Sequence, residues 1–507
     1  MSVFLRHSCG AVLAYAVVTQ GALADVTAQD VWDDWQTYMS QMGNTVSGQQ
    51  SVSGNVTTIT DVVVATEIPD EGGSFNIAFP QMTLTENGDG TVSIGVPESF
   101  PMTISGEEEG EAFSVEIGYS HSGLEMVVSG TPDDMTYDYS AKTLGVSLDN
   151  LTVDGESLPD DVLGVDIGLT NIAGSSQMKI GENRDIDQKF TADGLTYDLA
   201  FSDPKSDDDG KIDGSLNQLT FEGTNVIPSD FNVEDPQACF DSGFSFSGLF
   251  TYGPGKTSIA GTSKGEAFSM GSESQGGRFG ASMDSQRLAY DLEQNSSKLA
   301  VTTADLPFPI EIAMANAGFK FEFPVQQSEE IQPFGFAINL TDFTMSDVLW
   351  SIFDPAGALP RDPATIALDT TGTAKVLTNF FDPEALEDLE TSEVAPGELH
   401  SLKINELLVS LVGAKLTGDG DFTFDNSNTA EFGGMPAPSG VANLKLVGAN
   451  ALIDKLIGMG LLSENDALGA RMMMGLMAVP GEEPDTLNSK IEFTEDGQIL
   501  ANGQRIK

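Results

Sequence analysis

The chain reads as a mainly β protein. The expected form is one long curved antiparallel meander, a trough or flattened barrel, with an N-terminal helix and a C-terminal helical hairpin. Three observations predict it. Gly is abundant, at 54 residues, while Lys and Arg together number only 23, so turn formers are plentiful and helix formers scarce. Apolar and polar residues alternate over long stretches, as at Phe75, Ile77 and Phe79 and again at Val92, Ile94 and Val96. Asp-Gly steps punctuate those stretches. A flat sheet of this length would leave an apolar face and edges open, so curling and capping are expected.

The elements follow in order. Residues 1–24 read as a secretory signal: Arg6 is the positive start, Ala11–Val18 the apolar run, and Ala22-Leu23-Ala24 the small-residue cleavage site before Asp25. Thr27–Met42 reads as a helix opened by a Thr27/Asp30 capping box. Its Val31, Trp32, Trp35, Tyr38, Met39 and Met42 share one face, either as core or, through the two Trp, as an aromatic ligand contact. From Asn55 the period becomes two. Hairpin turns are expected at Asn87–Gly90, at Ser120-His121-Ser122-Gly123 and at Asp-Gly steps such as Asp154-Gly155, Asp193-Gly194, Asp213-Gly214, Asp419-Gly420 and Asp496-Gly497. An apolar-x-Tyr-Asp-apolar core recurs around Tyr137, Tyr197 and Tyr290, at irregular spacing, as in hairpins added to a meander.

The pattern changes near Asp342, which divides the mature chain into 25–341 and 342–507. Ser346–Phe353 is a short helix carrying Trp350, and Asp382–Glu390 a second candidate. Strands are expected at Leu402–Leu411, Asp419–Phe424 and Lys490–Phe493, with a Gly/Pro-rich loop at Gly433–Gly440. The hairpin Ala451–Met459 and Ser463–Ala478 is the most apolar segment, and each half is too short to span a bilayer. Two readings stand for it: a helix pair buried on the sheet, or an adaptable Met-rich surface.

Charge and chemistry narrow the function. With 77 Asp plus Glu, the net charge is −54, and no basic run exists to hold a nucleic acid or an anionic membrane. Cys9 leaves with the signal, so Cys239 has no intramolecular disulfide partner. His121 and His400 sit in contexts that suggest no metal or acid–base pair, and no nucleophile elbow, phosphate loop or zinc motif is present. Asp203 to Asp213 concentrates hard oxygen ligands, yet a calcium-loop template centred on Gly210 puts Lys205 first and Leu216 last, where acids are needed. No enzyme activity and no cofactor are expected.

The C-terminal third carries distinctive words: Asp354–Ala364, Gly448–Asp454, Gly469–Gly475 and Thr494–Gly503. Together with the Trp helix and the Asp89–Val92 hairpin, they resemble the bacterial domain of unknown function 2125 family, over most of the mature chain. That resemblance implies export in a Gram-negative alphaproteobacterium and brings no assigned activity. More distantly, the architecture is similar to the AsmA-like envelope proteins, whose curved sheets suggest lipid grooves. The expected function is a non-enzymatic periplasmic envelope protein that binds an apolar molecule, a lipid, along the trough. Trp32, Trp35, Trp350, Phe353, Met472, Met473 and Met477 are the candidate contacts. The alternative is a structural or interaction protein whose interior is self-filled, with no ligand groove and a polar face that meets envelope partners.

Overall fold

The computed structural model describes residues 25–506 except 69–72, 109–110, 160–161, 204, 232–235, 307, 381, 383–384, 386–394, 430–431 and 433. The expected signal segment and nearly all of the helix expected at 382–390 lie outside the described residues. What is described is one long antiparallel meander sheet with an N-terminal helix and C-terminal helices, and it does not close into a barrel. No described helix is long and apolar enough to cross a membrane.

The N-terminal helix, Ala28–Gln41, starts on the expected capping box: Asp30 Oδ2 accepts the Thr27 N–H at 2.9 Å, and Thr27 Oγ1 accepts that of Asp30 at 3.2 Å. Its Val31 and Trp32 are buried against Ile59, Val62, Leu84, Val92, Val128 and Met135 of the first strands. On the next turn Asp34 is buried too. It pairs with Arg184, 150 residues away, at 2.6 Å, and accepts the Tyr137 hydroxyl at 3.2 Å.

The strands are longer than the alternation predicted. Asp134–Val153, Asn183–Ser202 and Asp209–Pro228 each run 20 residues without interruption. The stretches around Tyr137, Tyr197 and Tyr290, expected as hairpin members, are parts of such continuous strands. Each long strand crosses a line where the alternation slips by one residue. In one apolar cluster Ala141 is followed by Leu144, Leu169 by Ile172, Ala192 by Leu195 and Leu216 by Leu219, each a step of three where a plain strand takes two. Asn171 and Gln218 make the step in the left-handed backbone region, at φ 49° and 55°. Other strands break on the same line. Glu111–Ser122 and Glu125–Thr131 pair with the two halves of Asp134–Val153, and Ser245–Tyr252 and Gly255–Ser263 with the two halves of Asp209–Pro228. Side chains stitch the line together: Asn171 donates to Asp193 at 2.8 Å, and Asn217 to the Pro254 carbonyl at 2.8 Å.

Several Asp-Gly steps expected as turns lie inside strands. Asp213-Gly214 is paired on both sides, and so are Gly194 and Gly420, while Asp193 falls at the slip in the registers and Asp419 opposes Asn443 on one side. The reason at Gly214 is space: a Cβ there would collide with the Tyr197 hydroxyl and the Lys256 carbonyl. Gly214 makes room for a ring of the neighbouring strand instead of turning the chain. Asp154-Gly155 does turn, at φ 50° and 79°. The expected loop at 433–440 is shortened by the strand Ala437–Val447.

Opposed residues of antiparallel neighbours share a face. Phe221, Phe250, Phe279, Leu292, Phe319, Ile338, Leu368 and Leu407 are directly opposed in successive strands, forming a row roughly 34 Å long at about 4.8 Å per strand. The other face carries the charge, with Arg278 bridging Asp291 and Glu293 at 3.2 and 3.1 Å and Lys211 meeting Asp198 at 2.8 Å. The helical hairpin forms as Ala449–Gly458 and Glu464–Met477, and the helix Asp347–Phe353 follows the strand that ends at Met345.

Candidate apolar binding site

The apolar face differs along its length. At the N-terminal helix it is closed by side chains. In the middle of the sheet it is uncovered: Phe279 is 44 % exposed, Leu292 45 % and Phe319 38 %. Between these regions, on the line of the phase slip, lies a cavity of ≈ 400 Å³, within the range of roughly 300–1,000 Å³ typical of small-molecule pockets. Phe79, Phe100, Tyr119, Tyr139, Leu144 and Phe190 are among its walls.

The sequence builds this cavity in a definite way. A chain of aromatic contacts starts in the helix and runs along it: Trp32 to Trp35 at 5.4 Å, Trp35 to Phe79 at 6.4 Å, Phe79 to Phe100 at 6.2 Å and Phe100 to Tyr119 at 4.7 Å. Tyr139 lies over Gly174, where a Cβ would clash with its ring. Burial pushes the Tyr119 and Tyr139 hydroxyls up from the ordinary tyrosine value, so both remain neutral. The strand break at Val96-Pro97-Glu98 frees a carbonyl, and Val96 O meets His121 Nε2 at 3.3 Å. His121 is therefore not in the tight turn expected for it. It is near the end of the strand Glu111–Ser122, opposite Leu144, and its ring lies 5.9 Å from that of Tyr119.

The residues singled out in the sequence fall into separate sets. Trp32 is core, 1 % exposed, and Trp35 links it to the cavity wall through Phe79. Trp350 is buried against Phe353 at 5.1 Å, with the Arg361 guanidinium 5.8 Å from its ring, while Phe353 is 41 % exposed. Met472 and Met473 are exposed, at 67 % and 56 %, and Met477 is half-buried. No ring contact among the described residues joins the Trp32 set to the Trp350 set. Cys239 is buried beside Phe240. In the acidic loop Asp203 accepts the Lys205 N–H and the Ser206 hydroxyl, both at 2.9 Å, and no three His, Cys, Asp or Glu of the described residues converge as a metal set.

Comparison with known proteins adds little. No family model and no curated protein matches the chain. Among solved structures, the crystal structure of the ferric citrate transporter FecA in its unliganded form is similar at 8 % identity and a TM-score of 0.16, over 91 % of this chain and 76 % of that one. At that score the likeness carries no argument. The chemistry of the site rests on its own residues: aromatic and aliphatic walls and neutral hydroxyls. That composition suits holding an apolar molecule. Phe79, Phe100, Tyr119 and Phe190 were not among the predicted contacts, because the walls come from many strands and no single segment stands out. The one local signal was the density of aromatic residues from Phe75 to Tyr139.

Proposed function

We propose that the chain is an exported, non-enzymatic protein of the Gram-negative cell envelope that binds lipid or another apolar molecule along its apolar sheet face. The observation that carries this reading is the uncovered row around Phe279, Leu292 and Phe319, continued into strands that also wall the cavity. Exposed apolar patches that continue over many strands mark binding surfaces in soluble proteins. The charge is segregated to the other face, which favours an uncharged chain on this one. A self-filled interior, the alternative, would place closely packed side chains where the cavity and the exposed row lie. The test is native mass spectrometry of protein purified from its own periplasm, combined with uptake of a fluorescent fatty acid. Bound lipid or saturable uptake is expected, weakened in Phe279→Asp or Leu292→Asp. No co-purifying lipid and no uptake would end this reading.

A further inference from the structure

We infer that the outer face of the C-terminal helical hairpin is a membrane-docking surface, and that its partner is a zwitterionic lipid surface. This adds a second lipid contact to the reading above and stands on different residues. Within Glu464–Met477 only Ala467 is buried, while Leu468, Met472, Met473 and Leu476 are each more than half exposed. At 3.6 residues per turn these four fall within an arc of about 140°. Leu461, in the turn that joins the two helices, is equally open. No charge interrupts the arc. From Ala467 to Met477 the one charged residue is Arg471, and it turns to the other helix, where it meets Asp454 at 2.6 Å. Clustered apolar side chains of this exposure mark a contact surface.

Three observations select a lipid surface as the occupant. The first is charge. Residues 437–480 carry Lys445, Lys455 and Arg471 against Asp454, Glu464 and Asp466, so this stretch is neutral in a chain of net charge −54. A second copy would bring another −54 to the contact, whereas a zwitterionic bilayer meets the neutral stretch without that repulsion. The second is size. These five side chains fall far short of the roughly 20–30 residues a side of a standard protein interface. The third is composition. The patch is Leu and Met, with none of the Trp, Tyr or Arg that anchor protein interfaces, and thioether side chains re-pack easily against a fluid partner. At 14 residues the helix is too short to cross a bilayer, so it lies in the interface with its apolar arc toward the acyl chains. Arg471 is its one cation, so apolar burial drives the contact and anionic head groups do not.

The experiment is co-sedimentation of the full mature chain with vesicles of phosphatidylcholine and, separately, of phosphatidylglycerol. Binding to phosphatidylcholine is expected, with weaker binding to phosphatidylglycerol that recovers as salt is raised. Leu468→Asp and Met472→Asp, on the solvent side of the helix, should each lower the partition coefficient roughly five- to tenfold with an unchanged unfolding midpoint. Both variants should still take up a fluorescent fatty acid, whereas Phe279→Asp should lose uptake and keep vesicle binding. No binding of the unaltered chain to phosphatidylcholine overturns the inference, as does undiminished binding of folded Leu468→Asp and Met472→Asp, or tighter binding to phosphatidylglycerol at low salt. A dimer in sedimentation velocity that Leu468→Asp abolishes would make a second copy the occupant and overturn it too. Vesicle binding without fatty-acid uptake would end the reading of the sheet face and leave this one standing.

Discussion

Asp34 and Arg184 are both nearly inaccessible, with side chains 5 % and 2 % exposed, and they tie the first helix to a strand 150 residues further on. Taking two charges out of water is costly, and the geometry offsets it: Tyr137 donates to the carboxylate, and the guanidinium lies 5.2 Å from the Tyr38 ring. Removing one partner strands the other. Asp34→Ala is therefore expected to lower the unfolding free energy by about 3–5 kcal/mol, and Asp34→Ala with Arg184→Met to recover most of that loss, as read by denaturant titration. Asp354 acts differently. Its carboxylate is fully buried and accepts the N–H groups of Leu359 and Ala358 at 2.9 and 2.8 Å, locking the loop that follows Phe353. The Leu359 N–H is the main reason its pKa lies below the ordinary value of 3.8, with burial opposing. A carboxyl depressed in the folded state stabilises fully above its unfolded value, and that stability is lost as pH falls through the folded one. Asp354→Asn should accordingly show a smaller drop in stability below pH 3.8 than the unaltered chain, and an identical acid limb in both would contradict this.

At the scale of elements, the helices divide by what covers them. The first helix is anchored by Trp32, so Trp32→Ala is expected to cost about 3–5 kcal/mol in thermal or chemical unfolding. The last helix buries Ala467 yet shows Leu468, Met472, Met473 and Leu476 to solvent, so Met472→Gln with Met473→Gln should change stability by less than about 0.5 kcal/mol each. Both helices were legible in the sequence, because capping residues and a helical repeat of apolar residues are local signals. The first strands were legible for the same reason. The long strands were not, since a phase slip such as Ala141 to Leu144 imitates the end of one strand and the start of another. Asp213-Gly214 misled in the same way: a turn and a place for the Tyr197 ring look identical in one dimension. The cavity was hidden for a further reason. Phe79, Tyr119 and Phe190 become neighbours only once register is fixed across strands far apart in the chain.

For the whole molecule the net charge is −54, and among the described residues Asp198, Asp291 and Glu293 lie on the face opposite the apolar rows. Like charges crowded on one sheet face repel, and dissolved salt screens them over about 10 Å at 0.1 M. The unfolding midpoint is expected to rise between low and moderate salt, and a flat response would count against charge repulsion as a limit on stability. The slip line has a larger consequence. Because every strand that crosses it changes parity there, the two halves of a strand are coupled by counting. Deleting Gln218 alone would turn over all of 209–217 relative to its neighbours, sending Lys211 and Asp213 in among Leu195 and Tyr197 and pushing Ile212 and Leu216 to the charged side. Deleting two residues from that half would restore parity at the expense of one rung. The chain is thus expected to tolerate paired losses better than single ones, an odd–even rule that no compact core of helices would impose.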